Sequence, residues 1–194
     1  MPGEDHEPVT DAELAQRAAS GDREAFGILV TRHQASVLRL AQVITRSHDE
    51  AEDVLQQTFL AAWRGIRGFR AEASVRTWVL TIARHAALAQ RGDVARQRTD
   101  PTPLDALGLR AGWGGPSPEQ QMLESERAML LATAFARLSA EDREIVTVRD
   151  FEGIPGEEAA RLLGLSVPAM KSRLHRARLA LAAAVREEVS HASR

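Results

Sequence analysis

Between Ser166 and Arg178 the chain carries Lys171, Arg173, Arg176 and Arg178, with Ser172 and His175 among them and no acidic residue. Cationic side chains at that density suit a polyanion. They pair with phosphate oxygens, and on a helix in the major groove an Arg or Lys donates to guanine O6 and N7. A second basic block lies upstream. From Ala61 to Arg98 stand Arg64, Arg67, Arg70, Arg76, Arg84, Arg91, Arg96 and Arg98 against only Glu72 and Asp93, a local net of +6. Over all 194 residues the formal net charge is −2. The blocks are therefore local, and two separate contacts with nucleic acid are the expectation. Charge alone also fits two solvated helix faces.

Other chemistries find little support. Cysteine is absent, which excludes disulfides, thiolate metal sites and a cysteine nucleophile. There is no Gly-Lys-Ser/Thr phosphate loop and no His-Glu-x-x-His zinc pair, and the six histidines are scattered. His33 falls on an apolar helical stripe and reads as a satisfied core residue. Acid pairs such as Glu52-Asp53 are sequence neighbours that face different ways, so no acid–base dyad is formed. Neither a catalytic residue nor a cofactor nor a metal is expected. The first eleven residues are acidic, unlike a secretory signal, and no apolar run approaches the ~18 residues of a membrane span. The expectation is a soluble, cytoplasmic protein with no direct membrane contact.

The elements that must carry the basic blocks are helices. Ala, Leu and Arg dominate and aromatics make up 4%, a composition that loses little entropy in helices. Thr10 with Glu13 reads as a capping box, Gly21-Asp22 as a break, and Ser47 with Glu50 as a second capping box. Phe26, Leu29, Val37, Leu40 and Ile44 recur at helical spacing. Ser74 caps a helix ending near Arg91, so four helices over residues 10–92 form one small domain. Residues 93–117 hold Pro101, Pro103, Pro116, Gly108, Gly112, Gly114 and Gly115 and read as a flexible linker. Ser117-Pro118 opens a second helical domain over 118–188. The fold class is all-α: two small helical domains joined by a Pro/Gly-rich linker.

Within the second domain Ala160, Gly164 and Met170 have the spacing of a helix-turn-helix. A small residue lets the second helix approach, a Gly makes the turn, and an apolar residue locks the pair. Helices over 156–163 and 167–188 follow, with Ser166 as a cap. The second helix then presents Lys171, Ser172, Arg173, His175 and Arg176 to a major groove, with Arg178 a turn further toward phosphate.

The run Asp49-Glu50-Ala51-Glu52-Asp53-Val54-Leu55-Gln56-Gln57-Thr58-Phe59-Leu60, followed by Trp63-Arg64, resembles the second conserved region of sigma factors, most closely the compact extracytoplasmic-function group. Val75-Arg76-Thr77-Trp78-Val79-Leu80-Thr81-Ile82-Ala83-Arg84 is similar to the segment that meets the −10 element. Leu138 to Glu144 and Lys171 to Arg178 are similar to the −35-reading domain. The resemblance spans about residues 10–92 and 120–185.

What the resemblance implies is a bacterial transcription initiation factor. Asp53, Gln56, Gln57 and Thr58 would dock on the clamp helices of the largest subunit of core RNA polymerase. Arg67, Phe69 and Arg70 would hold an extruded −10 base, and Arg76, Arg84, His85 and Arg91 would line that single strand. Lys171, Ser172, Arg173, His175, Arg176 and Arg178 would read duplex DNA at −35. An anti-sigma partner is also implied. His85, Gln90 and Gln57 stand where the family often has Asn, Asp and Glu, and Ala169-Met170 replaces a Thr-Val pair. The helix-turn-helix alone also fits a regulator that binds DNA as a dimer, which leaves the first basic block and the linker without purpose.

Overall fold

The computed structural model describes residues 9–94 and 118–192, with side chains described over 9–91 and 126–191. Most of the expected linker, 95–117, and the capping role assigned to Ser117 lie outside the described residues. Among the described residues the chain is helical throughout.

Four helices build the N-terminal half: α1 (Asp11–Ala19), α2 (Arg23–Thr45), α3 (His48–Gly65) and α4 (Val75–Val94). Each start is set by a side-chain oxygen that takes a free end amide. Thr10 Oγ1 accepts from the Glu13 amide at 3.3 Å while the Glu13 carboxylate accepts from the Thr10 amide at 2.8 Å, a complete capping box. Asp22 accepts from the Ala25 amide, and Ser74 accepts from that of Thr77. Ser47 makes only half of its expected box. Its hydroxyl takes the Glu50 amide, but its own amide donates to Thr45 Oγ1 rather than to Glu50. The last helix runs three residues past Arg91, through Gly92.

Leu14, Leu29, Val37, Leu40, Ile44, Val54, Val79 and Leu80 fill the core between these helices. Phe26 closes one side, meeting Trp63 edge-on with centroids 4.9 Å apart. His33 is buried with Nε2 2.7 Å from Asp11 Oδ2, the satisfied core histidine its position suggests. A 3-10 turn, Ile66–Gly68, buries Ile66 inside what reads in sequence as plain loop.

The C-terminal half holds α5 (Pro118–Ala136), α6 (Ala140–Val146), α7 (Gly156–Leu163) and α8 (Val167–Ala192). Phe135, Ile145, Val148, Ile154, Leu162, Met170 and Leu174 form its core. Arg143 is buried and donates to the Ala136 and Leu138 carbonyls at 3.1 and 2.6 Å, tying off the open end of α5. After α6 the backbone widens into a π-type turn, Thr147–Phe151, with the Glu152 amide bonded to the Thr147 carbonyl five residues back at 2.9 Å. The two halves meet. α6 and the π turn pack on α2, and α7 packs on α4.

Candidate nucleic-acid interface

The C-terminal reader follows from three small local requirements. Gly164 adopts φ +68°, a left-handed conformation that costs a residue with a Cβ about 1–2 kcal/mol, and so ends α7. The Leu165 amide bonds the Ala160 carbonyl at 2.9 Å, closing the helix end. Ser166 Oγ accepts from the Ala169 amide at 3.3 Å and starts α8. Ala160 and Met170 are both 1% exposed, where the two helices lock together. With Met170, Leu174 and Ala177 facing inward, the opposite side of α8 turns Lys171, Ser172, His175 and Arg176 to solvent, and Arg173 is half-buried beside them. Arg178 is exposed but already paired. Its Nε donates to Asp150 Oδ2 at 3.0 Å, and this carboxylate raises its pKa.

The N-terminal basic strip is built differently. Arg67, Arg70, His85 and Arg91 are exposed. Phe69 is half-buried against Trp78, with ring centroids 5.1 Å apart, so Trp78 both packs into the core and backs the loop. Ala71 in the same loop holds φ +56°, a conformation tolerated only where surroundings enforce it. A cavity of about 400 Å³ opens beside these rings, lined by Phe69, Trp78 and Thr81 on one side and by Glu158, Arg161 and Leu162 of α7 on the other.

Arg76 and Arg84, by contrast, are occupied by the other half of the chain. Glu152 is 1% exposed. One of its carboxylate oxygens accepts from Arg39 Nε at 2.6 Å and the other from Arg76 Nη2. Burial alone pushes this carboxyl up, but hydrogen bonds from Arg39, Ser36 and Arg76 outweigh it and hold Glu152 below the usual glutamate range. Arg84 Nε donates to Glu144 Oε1 at 2.5 Å. The Ser74 amide and hydroxyl both reach Glu158 Oε2 at 3.4 Å. Glu152 reads in sequence as no more than half of a Glu-Gly break, and nothing local marks it. Its partners lie 113 and 76 residues away.

On α3, Asp53, Gln56 and Gln57 share one exposed face. Thr58 does not. It is 0% exposed among the core residues of the bundle, because it follows Val54 and Ala51 at helical spacing on the inner stripe. It is therefore removed from the expected docking surface. Leu60, 57% exposed, is not marked by its motif and completes the outer face at three and four residues beyond Gln57 and Gln56.

Among the described residues no cluster of three or more His, Asp or Glu is placed to hold a metal ion. No helix of the described residues is long and apolar enough to cross a membrane. A helix-turn-helix that turns a row of basic and polar side chains to solvent, on an all-helical scaffold, defines a DNA-binding protein.

Residues 29–97 match the family model for Sigma-70 region 2, and residues 128–181 match that for Sigma-70 region 4. The RNA polymerase sigma factor CnrH of Cupriavidus metallidurans is 33% identical over 181 residues, spanning 89% of this chain and 93% of that protein. The ECF RNA polymerase sigma factor SigM of Mycobacterium tuberculosis is 35% identical over 174 residues, spanning 89% and 83%. Among solved structures, CnrH in complex with the cytosolic domain of CnrY aligns with a TM-score of 0.62 at 30% identity, covering 89% of this chain and 95% of that one. The sigma factor RpoE bound to the anti-sigma factor NepR from Bartonella quintana shares the fold, with a TM-score of 0.65 at 23% identity. The chain belongs to the sigma-70 family, in its extracytoplasmic-function group. It works with core RNA polymerase and promoter DNA as a transcription initiation factor and is not an enzyme.

Proposed function

We propose a division of labour along the chain. Residues 10–92 dock on the clamp helices of the largest polymerase subunit through Asp53, Gln56, Gln57 and Leu60. The same domain captures an unpaired −10 base in the Arg67–Phe69–Arg70 loop and holds the strand with Arg76, Arg84, His85 and Arg91. Residues 118–188 read the −35 major groove with Lys171, Ser172, Arg173, His175 and Arg176, and Arg178 meets phosphate. Residues 93–117 act as the tether that lets both domains engage one promoter. Promoter opening then draws on capture of the melted strand, because a base already bound in a pocket does not re-stack. The work is done in the cytoplasm, where the polymerase is.

The observation that carries this reading is the α8 face: a basic row free in solvent, backed by a buried apolar row that fixes its orientation. The polar strip on α3 supports the docking half, since an acid, two amides and one exposed leucine offer hydrogen bonds and apolar contact without burying a lone charge. Control by an anti-sigma protein belongs to the same reading, in keeping with the relative CnrH having been solved bound to a second protein, the cytosolic domain of CnrY. Co-purification from the native host, with mass spectrometry of bound proteins, tests it.

Run-off transcription with core polymerase on a genomic library tests the whole. Arg173→Ala is expected to relax choice at one −35 position, at a cost of about 1–3 kcal/mol in discrimination. Uniform weakening across promoters makes it a phosphate contact instead. Asp53→Ala with Gln56→Ala is expected to lower polymerase affinity with the fold intact, and unchanged affinity moves the docking surface elsewhere.

A further inference from the structure

The end of α3 and the turn after it repeat a pattern of three residues. Trp63-Arg64-Gly65, Ile66-Arg67-Gly68 and Phe69-Arg70-Ala71 each place an apolar residue, an arginine and a small residue in that order. Each position of the triplet has its own environment. The apolar members are anchors: Trp63 meets Phe26 edge-on, Ile66 is 2% exposed, and Phe69 rests on Trp78. The arginines all face solvent. Among the described residues none of the three has an ion pair, unlike Arg76 and Arg84 on α4. Side chains three apart eclipse in a 3-10 turn, which rises about 2 Å per residue. Arg67, in the turn Ile66–Gly68, therefore forms a row with Arg64 and Arg70, in steps of roughly 6 Å. The small members need an explanation of their own. Gly68 is exposed, and a Cβ added to it would meet no atom within 4 Å. Its φ is not among the positive ones. Neither packing nor backbone conformation calls for glycine there. What glycine does offer is bare main chain, which the backbone of a ligand can approach closely. Gly65 and Ala71 are exposed too and continue that strip beside the arginines.

A bare strip flanked by evenly spaced guanidinium groups fits a linear polyanion, whose charges recur at a regular step, better than one compact anion. We infer that Arg64, Arg67 and Arg70 form a phosphate rail for a single strand of promoter DNA, leading from the loop that holds the −10 base to the end of α3. This rests on the reading of that loop as the base holder. The two arginines of the loop then grip phosphates rather than base edges, and Arg64 extends the path by one phosphate. Contacts of this kind fix register and orientation but carry no sequence information. The rail adds affinity for the melted strand without adding to −10 sequence choice. Arg64 also marks where α3 changes partner, since it lies one turn beyond Leu60, the last residue of the docking face.

The test uses the full chain with core polymerase on a promoter fragment held open over −10 by mismatches. Arg64→Ala, Arg67→Ala and Arg70→Ala are each expected to flatten the slope of log affinity against log salt by about 0.7, and all three together by about 2. The loss at fixed salt is expected to be the same for every −10 sequence, and Arg64→Lys to keep the original slope. Gly68→Leu is expected to lower affinity several-fold at an unchanged melting temperature, because its side chain obstructs the approach and nothing in the fold. All four positions are exposed, and circular dichroism checks that each variant is folded. An unchanged slope for Arg64→Ala overturns the rail. A fall in core-polymerase affinity that accounts for the loss overturns it too, by making Arg64 a docking residue. A loss confined to particular −10 sequences overturns it by making the arginines base readers. Full affinity in Gly68→Leu overturns the close approach. Single abasic positions scanned along the open strand keep every phosphate and separate a failed rail from a failed base holder. If one abasic position lowers binding while the arginine variants keep the slope, the loop reading stands and the rail alone falls. If no abasic position has an effect, the loop reading falls and the salt slopes alone judge the rail.

Discussion

Helix α8 keeps Lys171, Ser172, His175 and Arg176 in water, whereas α4 gives Arg76 and Arg84 to carboxylates from the other half of the chain. Both surfaces are basic and both are carried on helices, yet one is ready and the other is neutralised. The difference lies in where each surface gets its support. The α8 face is held by contacts within one small motif, Ala160 and Met170 across the turn at Gly164. The α4 face needs Glu152, whose burial at 1% exposure is tolerable only because two guanidinium groups accept the desolvated charge. A buried carboxylate of this kind adds little net stability against an apolar alternative. It does make this packing of the two halves specific, because any other docking would strand the charge.

The largest effect separates the two surfaces outright. Phe135 is 2% exposed and meets Phe151 edge-on at 5.7 Å; Phe135→Ala is expected to cost about 3–5 kcal/mol and to melt the C-terminal half. Binding to a −35 duplex is then lost. Affinity for a −10 single-stranded oligonucleotide is expected to rise or hold as the −35 signal disappears, with both read on the same sample. A parallel fall in the two affinities breaks the contrast between the surfaces. Acid is a gentler lever on the contact between the halves. Glu152 is held below its ordinary value of 4.5, so its contribution to that contact is fully present above that value. It is lost as the pH falls through the depressed value. The groups facing it are the guanidinium groups of Arg39 and Arg76 and the hydroxyl of Ser36. The chain has no cysteine, so Glu24→Cys on α2 and Arg186→Cys on α8, both at exposed positions, accept a specific pair of distance labels. The label distance is expected to lengthen only on acidification below 4.5, and Glu152→Gln removes that component. A distance that does not respond to acid, or responds equally in the variant, shows that another contact holds the halves together.

The contrast also explains what could be read from the residues. Helix starts were legible because a cap is a contact over three residues, as with Thr10 and Glu13 or Ser166 and Ala169. The helix-turn-helix was legible because small residue, glycine and apolar residue sit within one short stretch. His33 lies on the core stripe of α2, which is legible from spacing, and its partner Asp11 comes from a neighbouring helix. The resemblance groups Thr58 with Gln56 and Gln57, whose side chains face outward, while its own register with Ala51 and Val54 points inward. That register was available in the sequence and outweighs the motif. Ser47 lost half of its box to a competing acceptor, Thr45 Oγ1, two residues back. Arg143 and Glu152 were illegible for a different reason. A buried charge is declared only by its partners, and those of Glu152 lie on α2 and α4, far along the chain.

The smallest effect probes whether the exposed reader holds a miniature of the same device. Arg178 donates to Asp150 within the C-terminal half, and the pair is partly exposed, with side chains 55% and 31% accessible. A pair in that setting contributes only about 0.2–1 kcal/mol to stability, so Asp150→Ala is expected to leave the melting temperature almost unchanged. Its effect on DNA is of another kind. Freed from its carboxylate, Arg178 can neutralise a phosphate and release a counterion, which steepens the slope of log affinity against log salt for a −35 duplex by about 0.9. The affinity gain is then greatest at low salt and fades as salt rises. The −10 oligonucleotide serves as control, since Asp150 does not touch Arg76 or Arg84. A rise in −10 affinity in this variant would mean that the pair supports the packing of the two halves instead. An unchanged salt slope would mean that Arg178 points away from the duplex even when free, leaving Lys171, Arg173 and Arg176 as the cations that meet DNA.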